Sequence, residues 1–205
     1  RPHLSRPNLR VTAHAQVQRI LFDGRRAVGV EVKVDGQLRR LQASREVVLA
    51  AGAIQSPQLL MLSGVGDAAQ LQGQGIEVRQ HLPGVGANLQ DHPDFVFGLR
   101  SRSLDTFGLS LRGGLAFWRA VRRYRSERRG MLTSNFAEGG GFLRTSSAQA
   151  RPDVQLHFVV AAVEDHARKL GWGHGMSCHV CLLRPQSRGT LTLASPDVDA
   201  APRID

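Results

Sequence analysis

Several things are scarce in this sequence, and each scarcity excludes a class. It has two cysteines, Cys178 and Cys181, too few for a disulfide scaffold. They form C-H-V-C inside an extended-looking run. Side chains alternate faces along a strand, so the two thiols point to opposite sides and cannot share a metal. No second Cys pair exists to complete a zinc set. No metal site is expected. There is no secretory h-region in the opening R-P-H-L-S-R-P-N-L-R. No run of about 20 apolar residues occurs either. The longest apolar window, Val47 to Val65, is broken by Gln55, Ser56, Pro57, Gln58 and Ser63. The expected setting is the cytoplasm or a peripheral association with a membrane. Acidic residues are outnumbered, 17 against 27, which leaves a net charge of +10. That excess, almost all arginine, fits an arginine-favouring composition as well as an anionic partner.

What is present is a globular chain with mixed periodicity. Val17 to Phe22 and Ala27 to Val34 alternate as strands, as do Leu9 to Ala13 and Gln37 to Ala43. Asp23-Gly24 and Asp35-Gly36 are turn signals between them. Glu46 to Ala51 is a continuous apolar run, which predicts a strand buried on both faces. Ser56-Pro57 reads as a helix start, with Ser as N-cap and Pro at the first helical position. That helix should stop at Gly64. A second helix should open on an Asp67 cap and end at Gly73 or Gly75. Pro83 to Pro93 is a Gly/Pro-rich loop.

Past residue 94 the texture changes. Phe95 to Arg100 predicts a strand. Leu111, Leu115, Trp118, Val121 and Tyr124 recur at helical spacing among arginines, an amphipathic basic helix. It reads as a surface helix with a wet Arg face, or as one that meets a membrane surface or nucleic acid. Gly139 to Gly141 should break the chain. Residues 154–163, 176–183 and 190–193 predict strands of a further sheet.

One glycine motif misleads. Gly64-Val-Gly66-Asp-Ala-Ala69 fits G-x-G-x-x-A, but a helix precedes it where a dinucleotide loop needs a strand. The better context is Ala51-Gly52, where a predicted strand meets a helix. In open α/β sheets, ligands sit beyond the carboxyl ends of strands. A residue without a side chain there lets a cofactor approach the backbone.

G-A-I-Q-S-P-Q-L-L-M-L-S-G-V-G, Gly52 to Gly66, resembles the second signature of the glucose–methanol–choline oxidoreductases. These are FAD-dependent enzymes acting on alcohols. Other blocks agree in order: R-P-N-L-R-V from Arg6, R-A-V-G-V from Arg26, L-P-G-V-G-A-N-L-Q-D-H from Leu82, S-N-F-A-E-G-G-G-F-L-R from Ser134, and R-P-Q-S-R-G-T-L-T-L-A-S from Arg184. The choline-dehydrogenase-like branch is the nearest in feel. The resemblance implies an α/β (α+β) chain. Residues 1–94 would be part of a Rossmann-like FAD-binding domain, and residues 95–205 part of an antiparallel-sheet substrate domain. It implies that Val17, Ala51 and Gly52 bind FAD. It also implies that Glu138 faces the substrate, where a carboxylate suits a cationic alcohol such as choline. The other reading of Glu138 is a structural residue capping the Gly turn.

The family's N-terminal G-x-G-x-x-G and its C-terminal catalytic His block have no match here. None of the eight histidines, His92 included, stands in that block, so no catalytic residue is assigned. The expectation is a middle segment of an FAD-dependent alcohol dehydrogenase or oxidase, inactive alone, with a small-molecule alcohol substrate and no nucleic-acid partner. Two alternatives stay open: an FAD-containing lyase of the same fold, and a basic anion-binding module using the helix at 115–129.

Overall fold

The structure, a computed structural model, describes residues 3–162 and 172–205. Helices and strands are mixed, in two compact units: residues 1–90 with 187–205, and residues 91–186.

The first unit opens with an antiparallel meander. It consists of β1 (Ala15–Asp23), β2 (Arg26–Val34) and β3 (Gln37–Gln42), paired in that order. Asp35-Gly36 makes the two-residue turn between β2 and β3, with φ of 50° and 77°. Two positive φ values match the twist of the flanking strands, which is why Asp-Gly marks this turn in a sequence. Across the meander, Glu31 accepts from Arg19 at 3.0 Å and from Arg40 at 3.4 Å. The Arg19 hydrogen bond holds its carboxyl below the usual carboxylate range.

Then come α1 (Gly52–Leu62), β4 (Val65–Gly66), α2 (Ala68–Gly73) and β5 (Gln80–His81). β4 and β5 pair in parallel. The Asp67 cap is real, since its side chain accepts from the Gln70 backbone N–H at 3.0 Å. At the other end of α1, buried Ser63 ties the helix to the meander. Its hydroxyl donates to the Leu59 carbonyl at 2.6 Å and accepts from the Ile20 backbone N–H at 2.8 Å. The Ile20 donor lies just past an irregularity in β1 between Val17 and Arg19, where the ladder shifts register.

Three sequence expectations fail in this unit. Helix α1 begins at Gly52, four residues before Ser56, so Pro57 lies inside it. The Ser56 hydroxyl accepts from the Ala51 N–H at 3.1 Å, from within the helix rather than ahead of it. The run Glu46 to Ala51 joins no ladder among the described residues. Val47 and Leu49 are half-buried while Val48 and Ala50 are exposed. Leu9 to Ala13 forms no strand either.

The second unit is an antiparallel sheet with one long helix. Its elements are β6 (Asp94–Ser101), β7 (Gly108–Leu109), α3 (Leu111–Glu127), a short 3-10 turn (Met131–Thr133), β8 (Ala137–Leu143), β9 (Val154–Val159) and β10 (Gly173–Leu182). The strand order is β6-β10-β9-β8, with β7 beside the start of β10. Ser110 caps α3, accepting from Gly113 N–H at 2.9 Å, and its hydroxyl meets His174 Nε2 at 2.9 Å. His174 is buried, and its Nδ1 lies 2.7 Å from the Thr106 carbonyl.

Gly139 to Gly141 does not break the chain, as it lies inside β8. A Cβ on Gly140 would come 2.4 Å from the Leu156 carbonyl oxygen, so glycine here permits close strand approach rather than a turn. The strand expected at 154–163 ends at Val159, and Val163 lies outside the described residues.

The last stretch also departs from the sequence division. Residues 187–205, grouped above with 95–186, pack with the first unit. They carry β11 (Leu191–Thr192) and β12 (Arg203–Ile204), an antiparallel pair. Leu191 and Leu193 join Met61 and Leu71 in the buried core. Leu89 and Gly189 exchange backbone hydrogen bonds at 2.9 and 2.8 Å. These are nonlocal contacts, which no periodicity reports.

Candidate cofactor groove and the sheet opposite it in sequence

A groove of about 810 Å³ opens beside the start of α1. It is made by three segments that are distant in sequence: His14 to Val17 at the head of β1, Val48 to Ala51 before α1, and one side of α1 itself, with Val198 adding to the rim. Its volume lies within the range of small-molecule sites. Val17, Leu49, Leu59 and Leu62 supply apolar wall, and His14, Gln16, Gln55 and Gln58 supply polar edges. Among the described residues no carboxylate belongs to the lining itself, and the nearby Asp199 carboxylate is taken up by Gln16 at 2.6 Å. Such a lining pairs apolar wall with uncharged polar edges.

Several local features fit close approach by a ligand. Ala51, the N-cap of α1, has no side chain to cap the first turn, and the Ser56 hydroxyl takes up only the Ala51 N–H, which leaves the positive end of the helix dipole largely open. Gly52 has φ of +84°, and a Cβ built on it meets nothing within 4 Å. His14 also sits at positive φ, 54°, a conformation that is uncommon off glycine. Val48 is 77% exposed, a large apolar surface facing open space. The 197–200 segment is held in place by two glutamines: Gln58 Nε2 donates to the Ala200 carbonyl at 2.9 Å and Gln16 Nε2 to Asp199 Oδ1 at 2.6 Å.

The sequence-predicted residues divide accordingly. Val17 and Ala51, 34 positions apart in the chain, line one groove, and Gly52 follows directly at the helix start. Glu138 lies in the other unit, on β8. It is exposed and sits where the β8–β9 register shifts between Ala137 and Gly139. Bulges of this kind re-aim side chains and recur near active sites. The glycines after it are strand residues, so there is no Gly turn for Glu138 to cap. Among the described residues its carboxylate makes no ion pair. Sequence reasoning missed His14, Gln16, Gln55 and Gln58. The glutamines in G-A-I-Q-S-P-Q were a usable signal, being polar residues inside an otherwise apolar helix.

A titratable cluster also escaped the sequence reading. Asp94 on β6 accepts from His179 Nδ1 at 2.6 Å and from the Cys181 thiol at 3.3 Å, both on β10. His157 stands directly across from His179 on β9. Burial pushes the Asp94 carboxyl up, but the hydrogen bonds from His179 and Cys181 outweigh it and leave it below the usual range. Burial first, and then the Asp94 carboxylate, push the Cys181 thiol up, so it is no ready nucleophile. Along β10, Cys178 pairs opposite Phe97 and Phe158 while Cys181 reaches Asp94, which places the two thiols on opposite faces. Among the described residues no His, Cys, Asp or Glu group is suited to a metal ion.

The cluster has a measurable consequence. A depressed carboxylate stabilises the fold above its unfolded pKa, and the contribution is lost as pH falls through the folded value. Asp94→Asn is expected to cost about 1–2 kcal/mol at neutral pH and much less in acid, where the wild-type carboxyl is protonated. Urea unfolding of both proteins from neutral pH into the acid range measures this. An equal cost at every pH would show that the pairing does not depend on the charge.

Among the described residues, His81 and His92 are engaged locally. His81 Nδ1 accepts from the Ala68 N–H at 3.1 Å, and exposed His92 has its own backbone N–H on Asp91 Oδ1. His166 lies outside the described residues. No helix among the described residues is long and apolar enough to cross a membrane.

Known proteins resemble this chain in sequence and in fold. Residues 1–94 match the family described as GMC oxidoreductase. The chain is 40% identical over 208 residues to an alcohol dehydrogenase [acceptor] of Pseudomonas putida, covering 98% of this chain and 37% of that protein. It is 39% identical over 207 residues to an oxygen-dependent choline dehydrogenase of Sinorhizobium medicae, covering 100% of this chain and 37% of the relative. Among solved structures, a formate oxidase crystal structure superposes with a TM-score of 0.85 at 28% identity, over 97% of this chain and 40% of that one. The chain thus spans a little over a third of the length of these relatives.

Proposed function

We propose, for a chain that belongs to the GMC oxidoreductase family, that it is the segment of an FAD-dependent oxidoreductase that holds the adenine side of the cofactor and supplies part of the substrate wall. The observation that carries this reading is the single groove shared by Val17 and Ala51, with Gly52 open at the helix start and no carboxylate in the lining. The groove fits the group: apolar walls suit the adenine ring, and the uncapped start of α1 suits its negatively charged part. When bound, FAD supplies the hydride acceptor for oxidation of a CH–OH group to a carbonyl.

This chain's own residues bind and orient. Val17 offers its strand backbone and apolar side chain to the adenine. Ala51 and Gly52 leave room for the cofactor against the backbone. Gln55 and Gln58 border the site, and Gln58 fixes the 198–200 segment at its rim. The second unit, residues 91–186, is the substrate wall in this reading. No catalytic base is assigned to this chain.

The test is to sequence the source gene beyond both ends of the segment and express the intact product. The expected protein retains flavin, and an alcohol bleaches that flavin anaerobically. The 205-residue chain by itself is expected to hold no stoichiometric FAD and to show no turnover. An intact protein without flavin would sink the proposal. A flavoprotein that cleaves cyanohydrins without net redox change would favour a lyase instead.

Glu138 bears on the substrate. Its exposed carboxylate on a bulge, with no ionic partner among the described residues, is suited to a cationic alcohol such as choline. In the intact enzyme, Glu138→Gln is expected to raise KM for choline by roughly tenfold while kcat changes little, since the charge binds ground state and transition state alike. KM for a neutral alcohol should not move. Equal effects on charged and neutral alcohols would remove Glu138 from substrate recognition.

A further inference from the structure

Helix α3 points an apolar row outward. A surface helix ordinarily turns its apolar stripe to the core. In α3 the packed side carries mostly small residues: Gly113 is buried, Ala116, Ala120, Val121 and Tyr124 are half-buried, and Phe117 beside them is 52% exposed. Leu111, Leu115 and Trp118 follow at i, i+4 and i+7 and share the opposite side. They are 92%, 56% and 55% exposed. Arginines flank this row. Arg122 lies over the Trp118 ring, 5.1 Å from its centroid, and Arg119 and Arg125 stand to either side. From Arg112 to Arg129 there are seven arginines and one acidic residue, Glu127. Glu127 is already paired with Arg123 at 3.2 Å.

We infer that this face of α3 docks on an anionic lipid bilayer, lying in the plane of the interface. The pattern is that of an interfacial helix: leucine and tryptophan enter the headgroup boundary, and arginine stems run along the apolar row with their guanidinium groups at lipid phosphates. Seventeen residues make a helix about 25 Å long, carrying far too much charge to span the hydrocarbon. Charge alone would suit nucleic acid equally. The apolar row decides between them, because Leu111, Leu115 and Trp118 find no counterpart on a phosphate backbone, whereas a bilayer takes both parts of the pattern. This inference is independent of the flavin reading, since it rests on the second unit alone.

The test is co-sedimentation of the full chain with phosphatidylcholine vesicles and with mixed phosphatidylcholine–phosphatidylglycerol vesicles, at low and at high salt. The expected result is binding to the mixed vesicles that is at least roughly tenfold tighter than to the neutral ones and weakens as salt rises. In a Trp172→Phe background, Trp118 emission should shift to the blue on binding. Leu115→Gln with Trp118→Gln should reduce binding by roughly tenfold or more, and Arg119→Gln with Arg125→Gln should reduce the preference for anionic lipid. All four side chains point outward, so circular dichroism and thermal unfolding should stay unchanged, which separates loss of docking from loss of fold. The inference is overturned by no binding to either vesicle at low salt. It is likewise overturned by equal binding to both, by binding indifferent to the Leu115 and Trp118 changes, or by salt-sensitive binding to DNA or RNA fragments with none to vesicles.

Discussion

Alanine at Gly86 should collapse the first unit's stability, while alanine two residues earlier should leave it nearly untouched. Gly86 has φ of +81°, and a Cβ there would lie 2.1 Å from the Leu191 carbonyl oxygen. The Gly86 carbonyl also accepts from the Leu191 N–H at 2.7 Å. An alanine must therefore adopt a left-handed conformation, costing about 1–2 kcal/mol. It must also push β11 away, which loosens that hydrogen bond and the burial of Leu191. Together these are expected to cost on the order of 3–5 kcal/mol, near the top of single-substitution effects. At Gly84 a Cβ meets nothing within 4 Å and the backbone is not left-handed. Gly84→Ala should be neutral or stabilise by up to about 1 kcal/mol, through the unfolded chain. Urea midpoints of the two variants measure the difference. Similar midpoints would show that the Pro83 to Pro93 loop and the residues near Leu191 do not pack as described.

The second large effect concerns the cofactor. Ala51→Glu in the intact protein should lower FAD retention by about ten- to a hundredfold. The substitution places a carboxylate in a groove that has none, beside the proposed position of an anionic ligand. Two like charges a few ångströms apart at a partly buried site repel by on the order of 1–3 kcal/mol, which sets that range. Ala51 is exposed, so the fold should tolerate the change. Gln42→Glu on the exposed face of β3 adds the same charge outside the groove and serves as the control. Flavin absorbance after purification, together with FAD titration of the apoprotein, reads the outcome. Loss of flavin in both variants would mean a general charge effect. Retention in Ala51→Glu would place the cofactor elsewhere.

The two experiments probe parts of the molecule that were unequally legible. Asp35-Gly36 and the Asp67 cap were readable because each is a local matter: the residue types set the backbone angles or satisfy a nearby N–H with no help from distant chain. The helix of residues 111–127 was readable for the same reason, as its period is local. Ser56-Pro57 was also local, and it misled. Serine and proline suit a helix start, but the run from Gly52 was already helical, and the Ser56 hydroxyl turned back to Ala51. Gly139 to Gly141 misled because the same bare backbone serves a turn or a close strand contact. Only the neighbour, here the Leu156 carbonyl, tells which.

The sequence by itself determined the meander, the Asp67 cap and the basic helix and, through its collinear blocks, the family. Those blocks keep their order along the chain, so a single reading recovers them. It also placed Val17, Ala51 and Gly52 near a cofactor by resemblance. Only the tertiary structure put Val17 and Ala51 on one groove with His14 and Gln55, joined Asp94 to His179 and Cys181, and returned residues 187–205 to the first unit. It also decided which side of the basic helix faces out. A wheel shows a helix's faces, but which one is covered depends on what packs against it. These contacts join residues tens to more than a hundred positions apart, and their free energy exists only once the chain has closed those loops. No window along the sequence contains both partners.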